Sequence, residues 1–129
     1  MDREDKLGIY LRYLGLCNQH LFDGLGEFVA RDVGGSTKGL ANYIRGCSDV
    51  VAAFPDYRWI LQHTVVEDDW LAARLIGVGI HSGPFRGVPP TGKVIRTQEM
   101  VMYRFAENKI AECWGDLHTT VRDELVSGS

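Results

Sequence analysis

Cysteine is scarce and scattered: Cys17, Cys47 and Cys113 are the only three in 129 residues. An odd, isolated set makes neither a CxxC pair nor a disulfide framework. An excess of positive charge is lacking as well. Fourteen Lys and Arg stand against 17 Asp and Glu, for a net charge of −3. Nothing therefore concentrates basic groups against phosphates, and no nucleic-acid partner is expected. Long apolar runs are missing. The longest weakly polar stretch, Trp70 to Ile80, is interrupted by Arg74 and is too short to cross a bilayer, so no membrane partner is expected. The charged start Met1-Asp2-Arg3-Glu4-Asp5-Lys6 leads into no apolar signal core, which points to a cytoplasmic protein.

What is present is the composition of a folded chain: 45% apolar, 24% charged and 10% aromatic residues. The length suits one domain over residues 1–129, with a core of about 7–125. The first half reads as helix. Two stripes at helical spacing run from Lys6 to His20, one of Leu7, Tyr10, Leu11, Leu14 and Leu21, the other of Ile9, Tyr13 and Leu16. They predict a helix apolar on much of its circumference. A short second helix is expected over 23–31, weakened by Gly24 and Gly26. A third, capped by Ser36 or Thr37, carries Leu40, Tyr43, Ile44, Cys47, Val51 and Phe54 and stops at Pro55.

After Pro55 the pattern turns to strands: 57–67, 70–81, 93–105 and 109 to about 119, with tight turns at Asp68-Asp69 and Glu107-Asn108. A Gly- and Pro-rich loop, 82–92, separates the second strand from the third. Helices followed by an antiparallel meander give an α+β order. A curved sheet packed against three N-terminal helices would enclose a conical pocket suited to a small ligand.

The segment His81-Ser82-Gly83-Pro84-Phe85-Arg86-Gly87-Val88-Pro89-Pro90-Thr91-Gly92 resembles the signature loop of the SnoaL-like polyketide cyclases. These belong to the nuclear transport factor 2-like (cystatin-like) superfamily, with ketosteroid isomerase and limonene epoxide hydrolase. Tyr103-Arg104-Phe105-Ala106-Glu107-Asn108-Lys109-Ile110-Ala111-Glu112-Cys113-Trp114 is similar to the same family's hairpin. The resemblance implies the cone fold. It also implies an intramolecular aldol closure of a hydrophobic, polyketide-like carbonyl substrate. A carboxyl group in a water-poor pocket would act as acid and base, without metal or organic cofactor. Isomerase, epoxide-opening or hydroxylase-like chemistry, or a non-catalytic binding module, are the alternatives on such a fold.

Matching the hairpin places the family's pocket glutamine at Glu99, its pocket histidine at Val101 and its catalytic aspartate at Gly115, beside Asp116. The candidate acid–base groups are therefore Glu99 and Asp116. Glu99 either faces the pocket with Val101, Tyr103 and Cys113 or pairs at the sheet edge with Arg96 or Arg74. Asp116 either turns inward through a bulge at Gly115 or is a solvated carboxylate. Tyr13, which aligns with the hydrogen-bonding tyrosine of ketosteroid isomerase, and His81 are candidate donors. A core tyrosine and a histidine tying the loop to backbone are the plainer readings. Trp59, Trp114 and His118 are candidate substrate contacts, with Phe85 closing the mouth. His63 and His118 lie on predicted strands without a spaced ligand set, so no metal is expected. The exposed pair Met100 and Met102 suits a two-fold contact in a homodimer.

Overall fold

The computed structural model describes residues 1–127. Helix α1 (Arg3–Asn18) opens on a reciprocal cap: the Asp5 N–H donates to the Asp2 carboxylate at 2.8 Å, and the Asp2 N–H donates to Asp5. It buries one face only, Ile9, Tyr10, Tyr13, Leu14 and Cys17, while Leu11 stays 53% exposed. The first apolar stripe of the sequence, to which Leu11 and the 52% exposed Leu21 belong, is thus partly solvated.

Residues 22–35 depart most from expectation. Phe22–Glu27 is a 3-10 helix, and Val29–Gly35 is a strand, β1, not the end of a helix. Two glycines in six residues discourage an α-helix, and Val29 and Val33 are both fully buried against the sheet. Helix α2 (Leu40–Ala53) starts later than Ser36 or Thr37 would have it. Its cap is Gly39, at φ 86°, and Ser36 instead accepts a hydrogen bond from the Gly115 N–H at 2.9 Å.

Strands β2 (Arg58–Glu67), β3 (Trp70–Ile80), β4 (Val94–Ala106) and β5 (Lys109–Trp114) follow as an antiparallel meander. The turns lie where the sequence put them, with Asp68, Glu107 and Asn108 at positive φ. β1 joins in parallel beside β5, giving the order β1-β5-β4-β3-β2 in a curved sheet. β5 ends at Trp114, five residues before the expected end, and Leu117–Ser127 is a helix, α3. The Asp116 carbonyl accepts the Thr120 N–H at 2.9 Å to start it, and Val121 and Leu125, four apart, bury its inner face. His118 therefore sits on a helix, not a strand.

Close packing fixes the sheet at two glycines. A Cβ on Gly77 would lie 1.9 Å from the Tyr57 hydroxyl, which is bonded to Thr97 at 2.9 Å. A Cβ on Gly35, at φ 108°, would meet the Cys113 carbonyl at 2.1 Å. Only a residue without a side chain lets β1 approach β5 there.

Candidate functional site

Alternation along β4 is strict. Ile95, Thr97, Glu99, Val101, Tyr103 and Phe105 are buried; Gln98, Met100 and Met102 face outward. Glu99 is thus on the inner face, 5% exposed, and opposite the face carrying Arg74 and Arg96. Arg74 is engaged elsewhere, donating to Gln98 and to His63 Nδ1. The edge ion pair considered for Glu99 does not form.

The inner face opens into a cavity of about 110 Å³. One wall combines Tyr13, Leu14 and Cys17 of α1 with Trp59, Leu75, Glu99, Val101 and Tyr103 of the sheet. Tyr43, Gly46 and Cys47 of α2 and Cys113 of β5 complete the sides. The exposed Ser36 and the half-buried Thr37, Gly115, Leu117 and His118 complete the lining.

Glu99 brings a carboxyl into a wall of aromatic, aliphatic and thiol groups. Burial pushes its pKa from the ordinary 4.5 to about 7; the charge of Asp116 adds to the rise, and a hydrogen bond from Trp59 opposes it. Around it the hydroxyls are linked. Tyr13 bonds Tyr43, Tyr43 donates to Cys113 Sγ at 3.4 Å, and Tyr10 and Tyr103 lie 3.4 Å apart. Burial holds the phenols of Tyr13, Tyr43 and Tyr103 well above their usual range. It pushes the Cys17 and Cys113 thiols up to about 12. The phenols are therefore neutral donors, and the thiols are protonated near neutral pH. Among the described residues, no group of three or more His, Cys, Asp or Glu side chains converges to hold a metal ion.

Of the residues singled out from sequence, Glu99, Tyr13, Trp59, Val101, Tyr103, Cys113 and His118 line this one cavity. Four others do not. Asp116 is exposed, its carboxylate 3.3 Å from the Thr120 hydroxyl at the start of α3, so no bulge turns it inward. Trp114 is 49% exposed on the outer face, its indole N–H on Glu112 at 2.9 Å. Phe85 is buried outside the lining, stacked on His118 with ring centroids 5.9 Å apart. His81 is fully buried in the base of the loop, 5.1 Å from the Phe54 ring.

The bonds of His81 define its task. Its Nδ1 accepts from the Thr91 N–H at 3.2 Å and lies 2.9 Å from the Thr91 hydroxyl. Its backbone pairs with Lys93 and Gly92. It ties the two ends of the loop together. Thr91→Val removes one of these bonds and is expected to cost about 1–2 kcal/mol in a urea denaturation. Chemistry in the cavity should be unaffected.

Tyr43, Cys17, Cys47, Ser36 and Thr37 were not singled out from the sequence. Their common destination depends on how α1, α2 and β1 dock on the sheet, and no local spacing encodes that. The inward stripe of α2 was the one available signal for Tyr43 and Cys47.

A sequence profile described as SnoaL-like polyketide cyclase matches residues 8–127. Among solved structures, a SnoaL-like polyketide cyclase from Agrobacterium tumefaciens is 31% identical; the match covers 91% of this chain and 94% of that one, at a TM-score of 0.76. TsrD from Streptomyces laurentii superposes over 99% of both chains with a TM-score of 0.86 at 19% identity, a likeness of fold alone. AclR from Streptomyces galilaeus, a candidate hydroxylase, shares the fold at 24% identity, with 88% of this chain and 87% of that one covered and a TM-score of 0.76. No curated protein sequence matches the chain. Among the described residues, no helix is long and apolar enough to cross a membrane.

Proposed function

The chain belongs to the SnoaL-like polyketide cyclase family, and from that premise we propose that it closes a ring in a hydrophobic carbonyl substrate by general acid–base catalysis at Glu99. The carrying observation is a buried carboxyl with a pKa of about 7 inside an apolar cavity ringed by phenols. The carboxylate of Glu99 takes a proton from the carbon next to a carbonyl. The C–H electron pair becomes an enolate, and the hydroxyl of Tyr13, turning from its bond with Tyr43, donates a hydrogen bond to its oxygen. The enolate carbon attacks a second carbonyl of the same molecule. The proton held by Glu99 then neutralises the new alkoxide. Each step uses only the side chains and the substrate.

Trp59, Val101, Tyr103 and Cys113 supply the apolar surround that excludes water and holds the carboxyl at this pKa. The test uses the aryl ketone 1-tetralone in deuterated water. The protein should catalyse deuterium entry beside the carbonyl, followed by NMR, and Glu99→Gln should remove that catalysis. Saturable binding without exchange would instead favour a non-catalytic binding module.

The outer sheet face supports pairing with a second copy of the chain. Met100 is 66% exposed, and Met102 lies beside Trp114 across β4 and β5. Ile60 and Val65 of β2 extend the exposed apolar surface. An unshielded apolar face of this kind is a recurrent self-association surface. Met100→Glu is expected to shift sedimentation from dimer to monomer with the tetralone exchange retained.

A further inference from the structure

Trp59 lies on β2, an edge strand of the sheet, so its backbone has no further strand to pair with on the outer side. The Asn18 side chain takes that place. It accepts from the Trp59 N–H at 2.7 Å and donates to the Trp59 carbonyl at 2.9 Å. His20 Nε2, 2.8 Å from the Tyr57 carbonyl, stitches the same edge two residues away. The indole is held as well. Tyr57 packs on it at 66° with ring centroids 4.8 Å apart, and Phe22 at 90° and 6.4 Å. From there it reaches Glu99. The two residues share the inner face two strands apart, about 10 Å across the sheet, and β3 places Gly77, without a side chain, directly opposite Trp59. The indole N–H donates to the Glu99 carboxyl.

We infer that Trp59 is a positioning residue: its N–H holds one oxygen of the Glu99 carboxylate and turns the other into the cavity, and Asn18 fixes the strand from which it does so. This deepens, and rests on, the reading of Glu99 as the base. The ionisable groups that act on Glu99 are Tyr10 and Cys17 of α1, Cys47 of α2, Tyr57 of β2, Cys113 of β5 and Asp116 ahead of α3. All six are acids, and none offers a positive charge to the carboxylate. The indole dipole therefore favours the ionised form where its other neighbours do not. Orientation is the larger gain. An unrestrained glutamate turns about three side-chain bonds, and a misplacement of about 1 Å can cost a reaction about a hundredfold.

Indole N–H signals in NMR test the bond without any substrate. The Trp59 signal, identified by its loss in Trp59→Phe, should move downfield as pH rises through about 7, where Glu99 ionises. In Glu99→Gln it should stay flat. Tetralone exchange then tests the consequence. Trp59→Phe keeps an aromatic ring and lacks the N–H. Losing a donor to the charged form raises a carboxyl pKa, so the midpoint of the pH profile should rise by about one pH unit. A carboxylate of higher pKa is the stronger base, so its plateau rate would rise if orientation were kept. The plateau should instead fall about tenfold, with KM little changed. Asn18→Leu, which removes both bonds to the Trp59 backbone and leaves the indole, should lower the plateau by less. A Trp59 signal that does not titrate, or a Trp59→Phe plateau equal to or above the wild type, overturns the inference. A titrating indole in a wild type that catalyses no exchange would strike the base role of Glu99 and leave Trp59 as the residue that positions its carboxylate.

Discussion

Glu99→Gln should lower deuterium exchange into 1-tetralone by about 10²- to 10⁴-fold, the usual contribution of a positioned general base. The amide keeps the shape and polarity of the carboxyl, so the ketone should still bind. The wild-type rate should rise with pH to a plateau, with its midpoint near the raised pKa of about 7, because the ionised form is the base. An ordinary exposed glutamate would place that midpoint more than two units lower, at its normal 4.5. A rate insensitive to Glu99→Gln, or a profile flat from pH 5 to 8, would remove Glu99 from the chemistry.

On the proposed reading, the same carboxyl would let this chain do without the acid–base residues that the family resemblance leads one to seek. A Cβ at Gly115 would lie 3.3 Å from both γ-carbons of Val101. The valine thus fills the space an aspartate at 115 would enter, and the two positions have a joint steric logic. Val101 in turn adds apolar surface to the cavity that holds Glu99. On the proposed reading, the acid at 99, where the resemblance leads one to expect glutamine, takes the role of an aspartate at 115.

Much of this was legible in the sequence because it is local. The period of two along 93–105 separates Glu99 from Arg96 and Met100, and the Asp68-Asp69 and Glu107-Asn108 turns fix the meander. Which face of β4 is inner is not local: it follows from where α1 and α2 pack. β1 was hidden because Val29 and Val33 are four apart, a spacing shared with helices, with Arg31 and Asp32 between them. α3 was hidden by length. Its Leu117, Val121 and Leu125 repeat lies in a polar tail directly after a strand, and the strand pattern was extended into it. His81 left two readings open, a functional donor and a histidine tying the loop, and its bonds to Thr91 favour the second.

Stability should carry the opposite mark of the same residue. In the unfolded chain Glu99 ionises at the ordinary 4.5, and in the folded protein at about 7. Between these values the folded state binds more protons, so stability falls as pH rises. The contribution of protonated Glu99 is complete below pH 4.5 and is lost as pH passes through 7. A displacement of that size corresponds to roughly 3 kcal/mol. Glu99→Gln removes the ionisation. It should unfold close to the wild type at pH 4.5, yet melt higher by about 10 °C at pH 8. Scanning calorimetry of the two proteins across that range reads the divergence directly. Equal melting temperatures at pH 8 would mean that the carboxylate is solvated in the folded state, and the cavity would then lack the desolvated base on which ring closure depends. A stability gain coupled to loss of exchange is the behaviour of a residue held in the core for its chemistry, at the expense of the fold.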